Sequence, residues 1–328
     1  MSPSTCRIAI ILTFAVINVT CFWLFFHPQS YTGTPNGDCL SSSASSTGID
    51  GAKSGNNIFV EKRKKKLGDG CFHVFLDVGA NIGVHTRFLY EPNLYPNTKT
   101  AASFFNEQFG TSRDNHDFCA FGFEPNPAHR KRHENLMAHF KAGGLRYHYI
   151  GVAVSDSVGN MTFYHNQDEA KEEWGFSDHV LNKDAVAEVV PKIRLADWIM
   201  DEIYDREMPS IVLGDYADKK PKVVMKMDIE SQEYAVLPDL MFSGVLCKTI
   251  DFVFGEFHHW NIHYPPDEVT GRGGLELGAR ESLKFKNELL RGFHSVKHCR
   301  TASISGLEDE SYLHDGVALL SYDNGPTR

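Results

Sequence analysis

Hydrophobic positions in this chain fall into one long run at the start and many short runs after residue 70. The long run is Ile8 to Phe26, IAIILTFAVINVTCFWLFF, without a charge. A helix of that length crosses a bilayer. Trp23, Phe25 and Phe26 stand at its far end, where aromatic rings favour the membrane interface. The run closes on bulky aromatics and His27-Pro28, not on the small residues of a cleavage site, which predicts a retained signal-anchor. Residues 27–66 then read as a flexible stem: Ser, Thr and Gly are in excess, with SSSASSTG at 41–48, and cannot bury enough apolar surface to order themselves. The division is therefore a short tail (1–7), a transmembrane anchor (8–26), a stem (27–66) and a folded domain (67–328).

Within the domain, runs of strand length alternate with helical spacing. Strands are predicted over Phe72–Val78, Phe118–Phe123, Leu145–Val154, Val189–Leu195, Lys222–Ile229 and Ile250–Phe257, with Asn160–His165 as one arm of a hairpin. Helices are expected from near Ile82, over Ala128–Lys141 (stopped by Gly143-Gly144), Asp197–Tyr204, Glu233–Phe242 and Glu281–Arg291. His294–His298 and Gly316–Tyr322 are expected to close the count as an antiparallel pair. Residues 91–117 read as a polar insertion, and the acidic stretch 166–184 as a lid or substrate loop. Strands alternating with helices imply a mainly parallel sheet, and no internal repeat is visible.

The strand ends carry the chemistry. The first ends in Asp77-x-Gly79-x-Asn81-x-Gly83, and the second closes on Glu124. That pairing describes a nucleotide-type site at the switch point of a doubly wound sheet. A dinucleotide would bring a pyrophosphate and want Gly-x-Gly-x-x-Gly, whereas Asp77 and Asn81 suit an amino group or cation, and Glu124 can accept ribose hydroxyls. Farther on, VVMKMDIE (223–230) places Asp228 and Glu230 two apart, on one side of a strand and its extension, with Lys226 a layer below. Phe-Gly-Glu-Phe-His (254–258) adds Glu256 and His258 at the end of the next strand. Unpaired charge is costly on such strands, so these groups need partners or a ligand. A Lys226–carboxylate pair is the plainer alternative.

Composition limits the remaining choices. The net charge of −9 argues against nucleic-acid binding, which wants a basic face. The basic cluster Lys62–Lys66 reads as a solvated lead into the domain. Seven cysteines without a C-x-x-C pair make structural zinc improbable; Cys71 and Cys119, flanking core strands, are expected as buried free thiols, with room for one disulfide among the five outside the anchor. Asn160-Met161-Thr162 is an N-glycosylation acceptor sequence.

LDVGANIG (76–83), FEPNP (123–127), VAVSD (152–156), MKMDIESQEYAVL (225–237) and GEFH (255–258) occur in that order. The series resembles the FkbM-type S-adenosylmethionine-dependent methyltransferases over roughly Phe72–Tyr322. The resemblance implies an α/β fold, the class I methyltransferase (Rossmann-like) seven-stranded, mostly parallel sheet with helices on both faces and its last strand antiparallel. It implies S-adenosylmethionine as cofactor and O-methylation of a hydroxyl on a glycan or other metabolite. Carried over, Asp77 and Gly79 line the methionine end, with Asn81 and Gly83 in the same turn. Glu124 binds the ribose, Val154 and Asp156 flank the adenine, and Glu230 joins this cofactor set. Asp228, Glu230 and Glu256 border the reacting end; from the chemistry a hydroxyl acceptor needs, Asp228, Glu256 and His258 are the catalytic candidates, with Asp228 or His258 as base, or Asp228 and Glu256 holding Mg²⁺. Ser231 departs from the family's usual Gly after Asp-x-Glu, and the segment between Gly83 and Glu124 is longer than usual. Anchor and stem together imply a lumenal domain in the ER or Golgi. A protein or lipid acceptor, or a binding module without turnover, are the other readings; Asp77 disfavours an NAD oxidoreductase, and the oligomeric state is open.

Overall fold

The computed structural model describes residues 63–96, 99–165, 174–175, 186–209, 220–259, 263–264, 275–295, 299 and 304–306. The expected anchor and most of the stem lie outside these residues, as do 166–173 and 176–185 of the expected lid and the expected strand at 316–322. Among the described residues no helix is long and apolar enough to cross a membrane.

The central sheet forms around β1 (His73–Val78), whose six residues are all buried. Such a strand needs cover on both faces. β2 (Phe118–Phe123) and β3 (Arg146–Ile150) lie to one side; β8 (Val223–Met227), β9 (Phe252–Gly255) and β12 (Ile304–Gly306) lie to the other, all parallel. The chain thus builds outward from β1 and then returns to its other flank. That reversal places the ends of β1 and β8 side by side at the switch point, where open α/β sheets bind ligands.

Alternation along the strands sorts the core into two layers. Val74, Leu76 and Val78 join Phe121, Phe123, Met225 and Met227 under α4 (Leu195–Glu202) and α5 (Glu233–Phe242). Phe75, Ala120, Val224 and Phe254 pack on the other face against α1 (Val84–Tyr90) and α3 (Arg130–Ala142). The presumed insertion also belongs there: α2 (Lys99–Phe109) seats Phe105 fully buried, its ring edge-on to Phe75 at 5.0 Å. Phe104, Phe105 and Phe109 give this otherwise polar stretch an apolar face that packs on the core.

Other expectations are corrected in detail. The third strand is two, because the chain leaves the main sheet at Gly151-Val152: β4 (Ala153–Ser155) pairs with β7 (Val186–Arg194) in a second sheet, ordered β4-β7-β5-β6, where β5 is Gly159–His165 and β6 is Trp174–Gly175. The expected hairpin is the antiparallel β5–β7 pair. The main sheet shows six strands among the described residues. The edge strand at Ile304–Gly306 is parallel to β9, the expected antiparallel strand at 316–322 lies outside the described residues, and His294 ends helix α6 (Ala279–His294) instead of opening a strand.

Cys71 and Cys119 are not free thiols but bonded to each other, and Cys247 to Cys299. The first bond depends on strand register and on the turn ahead of β1. In the β1–β2 register Cys119 stands opposite Val74, and Cys71, just ahead of β1 after the turn at 67–70, reaches it with the two Cα atoms 5.6 Å apart.

Candidate active site

The turn after β1 is shaped by what lies behind it. Gly79 has φ +79°, and a Cβ there would come within 1.8 Å of the Asp228 carbonyl oxygen. Only glycine lets β1 and the end of β8 approach so closely. Asn81 is also left-handed, at φ 47°. Its carbonyl accepts from His133 Nε2 at 2.6 Å, while His133 Nδ1 lies 2.7 Å from the Tyr147 hydroxyl. Burial, the largest influence, drives the His133 pKa down to about 4, so the ring is neutral. Nε2 must then carry the proton, and Nδ1 accepts from Tyr147. Gly83, at φ +79°, leads into α1.

Glu124 closes the turn from the other side. One carboxylate oxygen accepts from the Asn81 amide and the other from the Asn126 amide, both at 2.8 Å. Each retains a lone pair for hydroxyl donors. Asp77 is fully buried; Oδ2 accepts from the Thr86 hydroxyl at 3.3 Å, and Oδ1 has no partner among the described residues. Burial pushes its pKa up to about 6, opposed by Lys226 and the Thr86 hydrogen bond. An unmatched buried acceptor beside a glycine turn suits a donor such as an ammonium.

Gly79, Glu124, Val154, Asp228 and Glu230 line one cleft, along with Val152, Met161 and Phe163. The last two come from β5, so the second sheet supplies an apolar wall. Asp156 does not line the cleft: it is exposed and accepts from the Ser155 and Ser157 hydroxyls.

The far side of the cleft is ionic. Asp77 and Lys226 are register partners across β1 and β8. The buried Lys226 ammonium donates to the Gly79 carbonyl at 2.6 Å and to Asp228 Oδ2 at 3.0 Å. The expected Lys226–carboxylate pair therefore forms within the site itself. Burial opposes the Asp228 charge, but Lys226 and His258 overcome it and hold its pKa below the usual carboxylate range.

His258 is 5% exposed, its Nδ1 3.1 Å from Glu233 Oε1. Its Nε2 faces Glu256 at 3.5 Å, Asp228 at 3.6 Å and Glu230 at 3.9 Å. Burial works against its charge, yet the hydrogen bonds to Glu233 and Glu256 push its pKa up to about 11. Carboxylates on both sides of the ring favour its protonated form, which speaks against the expected role of His258 as base. Glu230 is pushed up to about 7, first by burial and then by Asp228, Glu233 and Glu256; a side chain 43% exposed tempers that rise. Of these groups it is best matched to accept a proton near neutrality. Among the described residues Asp228, Glu230 and His258 each bring one ligand atom within 4.8 Å of the others, a set that shares Asp228 with the expected Mg²⁺ pair of Asp228 and Glu256.

Lys226, Glu233 and His133 are functional neighbours that sequence motifs did not assign to the site. Lys226 had a signal in its strand periodicity. Glu233 and His133 act from helices, and only tertiary structure brings them in.

Comparison with known proteins follows this geometry. The model of the methyltransferase FkbM domain matches residues 77–269, more than half of the chain. A crystal structure of methyltransferase FkbM from Methylobacillus flagellatus KT is 14% identical, with a TM-score of 0.30, covering 67% of this chain and 37% of its own. This chain therefore spans well under two-thirds of that relative's length. No curated protein matches. The matched segment runs from Asp77 through Glu124, Asp228 and His258, the strand ends that build the cleft, and the chain belongs to the FkbM methyltransferase family.

Proposed function

We propose that the protein is an S-adenosylmethionine-dependent methyltransferase acting on a hydroxyl of a glycan or another hydroxylated acceptor. We further propose that residues 8–26 anchor it with its domain in the secretory lumen. The observation that carries the reading is Asp77: fully buried, one oxygen unmatched, beside a glycine turn too close to Asp228 for any side chain. When bound, S-adenosylmethionine supplies an already activated methyl group. The chain's residues have to hold it, align the acceptor and receive a proton.

Asp77, buried behind the Gly79 turn and not itself on the cleft surface, is the counter-charge toward which the ammonium is drawn, and the free lone pairs of Glu124 take the ribose hydroxyls. Val154, Met161 and Phe163 cover the adenine. Glu230, opening on the cleft, receives the acceptor's proton. A rim of Asp228, Glu230 and Glu256 repels anionic acceptors, which favours a neutral hydroxyl. Two disulfides support an oxidising compartment, and Asn160 is exposed for glycosylation.

Calorimetric titration of the full-length protein with S-adenosylmethionine tests the reading. Glu124→Ala is expected to weaken binding by about 1.5–3 kcal/mol through loss of charge-assisted hydrogen bonds. Glu124→Gln, which keeps one acceptor for the turn amides, is expected to fall between. Unchanged affinity in a folded variant rejects the assignment.

A further inference from the structure

Among the described residues outside the cofactor turn, a set of ligating atoms gathers around His258. We propose that Asp228, Glu230 and His258 form a binding site for a divalent first-row transition ion of the Mn²⁺ type, at the acceptor end of the cleft. The inference rests on the function proposed above and deepens it.

The geometry is that of a chelate. His258 Nε2 stands 3.6 Å from Asp228 Oδ1 and 3.9 Å from Glu230 Oε2, with Glu256 Oε2 at 3.5 Å on a further side. Two donors each about 2.1 Å from one ion lie about 3.0–3.4 Å apart, so a small contraction seats it. The ring is already aimed. Its Nδ1 is 3.1 Å from Glu233 Oε1, which also accepts from the Ile229 amide at 2.7 Å, and Glu233 is fully buried. Such a carboxylate behind a histidine directs the opposite nitrogen at a metal.

Ligand chemistry selects the ion. Two carboxylates alone would suit Mg²⁺, but an imidazole nitrogen shifts preference toward transition ions. The partial exposure of Glu230 leaves positions for water or an acceptor's oxygens. With an ion bound, Glu230 would be a ligand in place of the base it is in the ion-free protein, and the acceptor's hydroxyl, acidified by the ion, would lose its proton to water at the open position.

The test uses chelator-stripped full-length protein titrated with Mn²⁺, following loss of the free-ion electron paramagnetic resonance signal. One ion per chain is expected, with Mg²⁺ competing at least ~10-fold more weakly and His258→Gln lowering affinity at least ~10-fold, the scale set by losing an ordered ligand. Should His258→Gln not fold, Glu230→Gln at the partly exposed position is expected to show the same loss. No binding by the wild type at millimolar Mn²⁺, or folded variants within about twofold of it, overturns the proposal. S-adenosylmethionine titration of the same samples keeps the two readings apart. Cofactor binding without Mn²⁺ binding sinks the ion site alone, and Mn²⁺ binding without cofactor binding sinks the methyltransferase assignment.

Discussion

Ser231 shows how one residue carries a local conflict. Its φ is +79°, a conformation that costs a non-glycine residue about 1–2 kcal/mol. The family's usual glycine would avoid that cost. Here the Ser231 hydroxyl donates to the His258 carbonyl at 2.9 Å, tying the turn after β8 to the end of β9. A hydrogen bond of this kind contributes about 0.5–1.5 kcal/mol net, enough to offset most of the strain. Ser231→Gly is therefore expected to be near neutral, and Ser231→Ala, which keeps the strain and loses the bond, to destabilise by about 1 kcal/mol. Denaturant unfolding of both variants decides it; an Ala variant as stable as wild type would show that the hydroxyl contributes nothing.

At the scale of elements, the cofactor turn is held by α3 and β3 through His133. The ring donates to Asn81, accepts from Tyr147 and stacks on Tyr149 with centroids 4.5 Å apart. Burial, the largest influence, opposes its charge, as do His129 and Arg132; Glu124 and the hydrogen bond to the Asn81 carbonyl favour the charge but are outweighed. Its folded pKa, about 4, lies below the ordinary 6.5. Its contribution is therefore complete above pH 6.5, falls as pH drops toward 4 and is gone below. His85, held near 3 by burial, has the same sign; Asp77 and Glu230, with raised pKa values, have the opposite one. The separable expectation is that the loss of melting temperature between pH 6.5 and 4 shrinks in His133→Gln, with a nuclear magnetic resonance titration placing His133 well below 6. An unchanged slope would count against the network.

The same elements show what a sequence can disclose. Apolar runs ending in Asp77, Glu124, Asp228 and Glu256 mark strand ends because buried strands tolerate carboxylates only at their edges. Glycines 79 and 83 stand where the backbone turns left-handed. What stays hidden acts across elements. His133 has an unremarkable place on an amphipathic helix, Met161 and Phe163 reach the cleft from another sheet, and the charge on His258 depends on Glu233 and Glu256 arriving together. The Cys71–Cys119 pairing was not legible, because the strand register sets Cys119 opposite Val74, and only the turn ahead of β1 brings Cys71 within reach.

For the whole molecule, the question is which compartment suits a chain stapled in this way. The Cys71–Cys119 bond closes a 48-residue separation. In the chain-entropy account, a loop of that size is worth about 4 kcal/mol. Domains have only about 5–15 kcal/mol of net stability, so a fold losing that much in a reducing cytosol would be marginal. Asn160 lies exposed on β5, so its side chain could be modified without disturbing the cleft wall formed by Met161 and Phe163. The uncharged run Ile8–Phe26 supplies the span that would deliver the domain across a membrane. Together these lead to one expectation. In sealed vesicles from cells expressing the full chain, the domain should resist added protease until detergent is present. Asn160→Gln should remove one glycan-sized step in mobility. Digestion without detergent, together with no mobility change in Asn160→Gln, would place the domain in the cytosol. The acceptor would then have to be sought among cytosolic proteins and lipids.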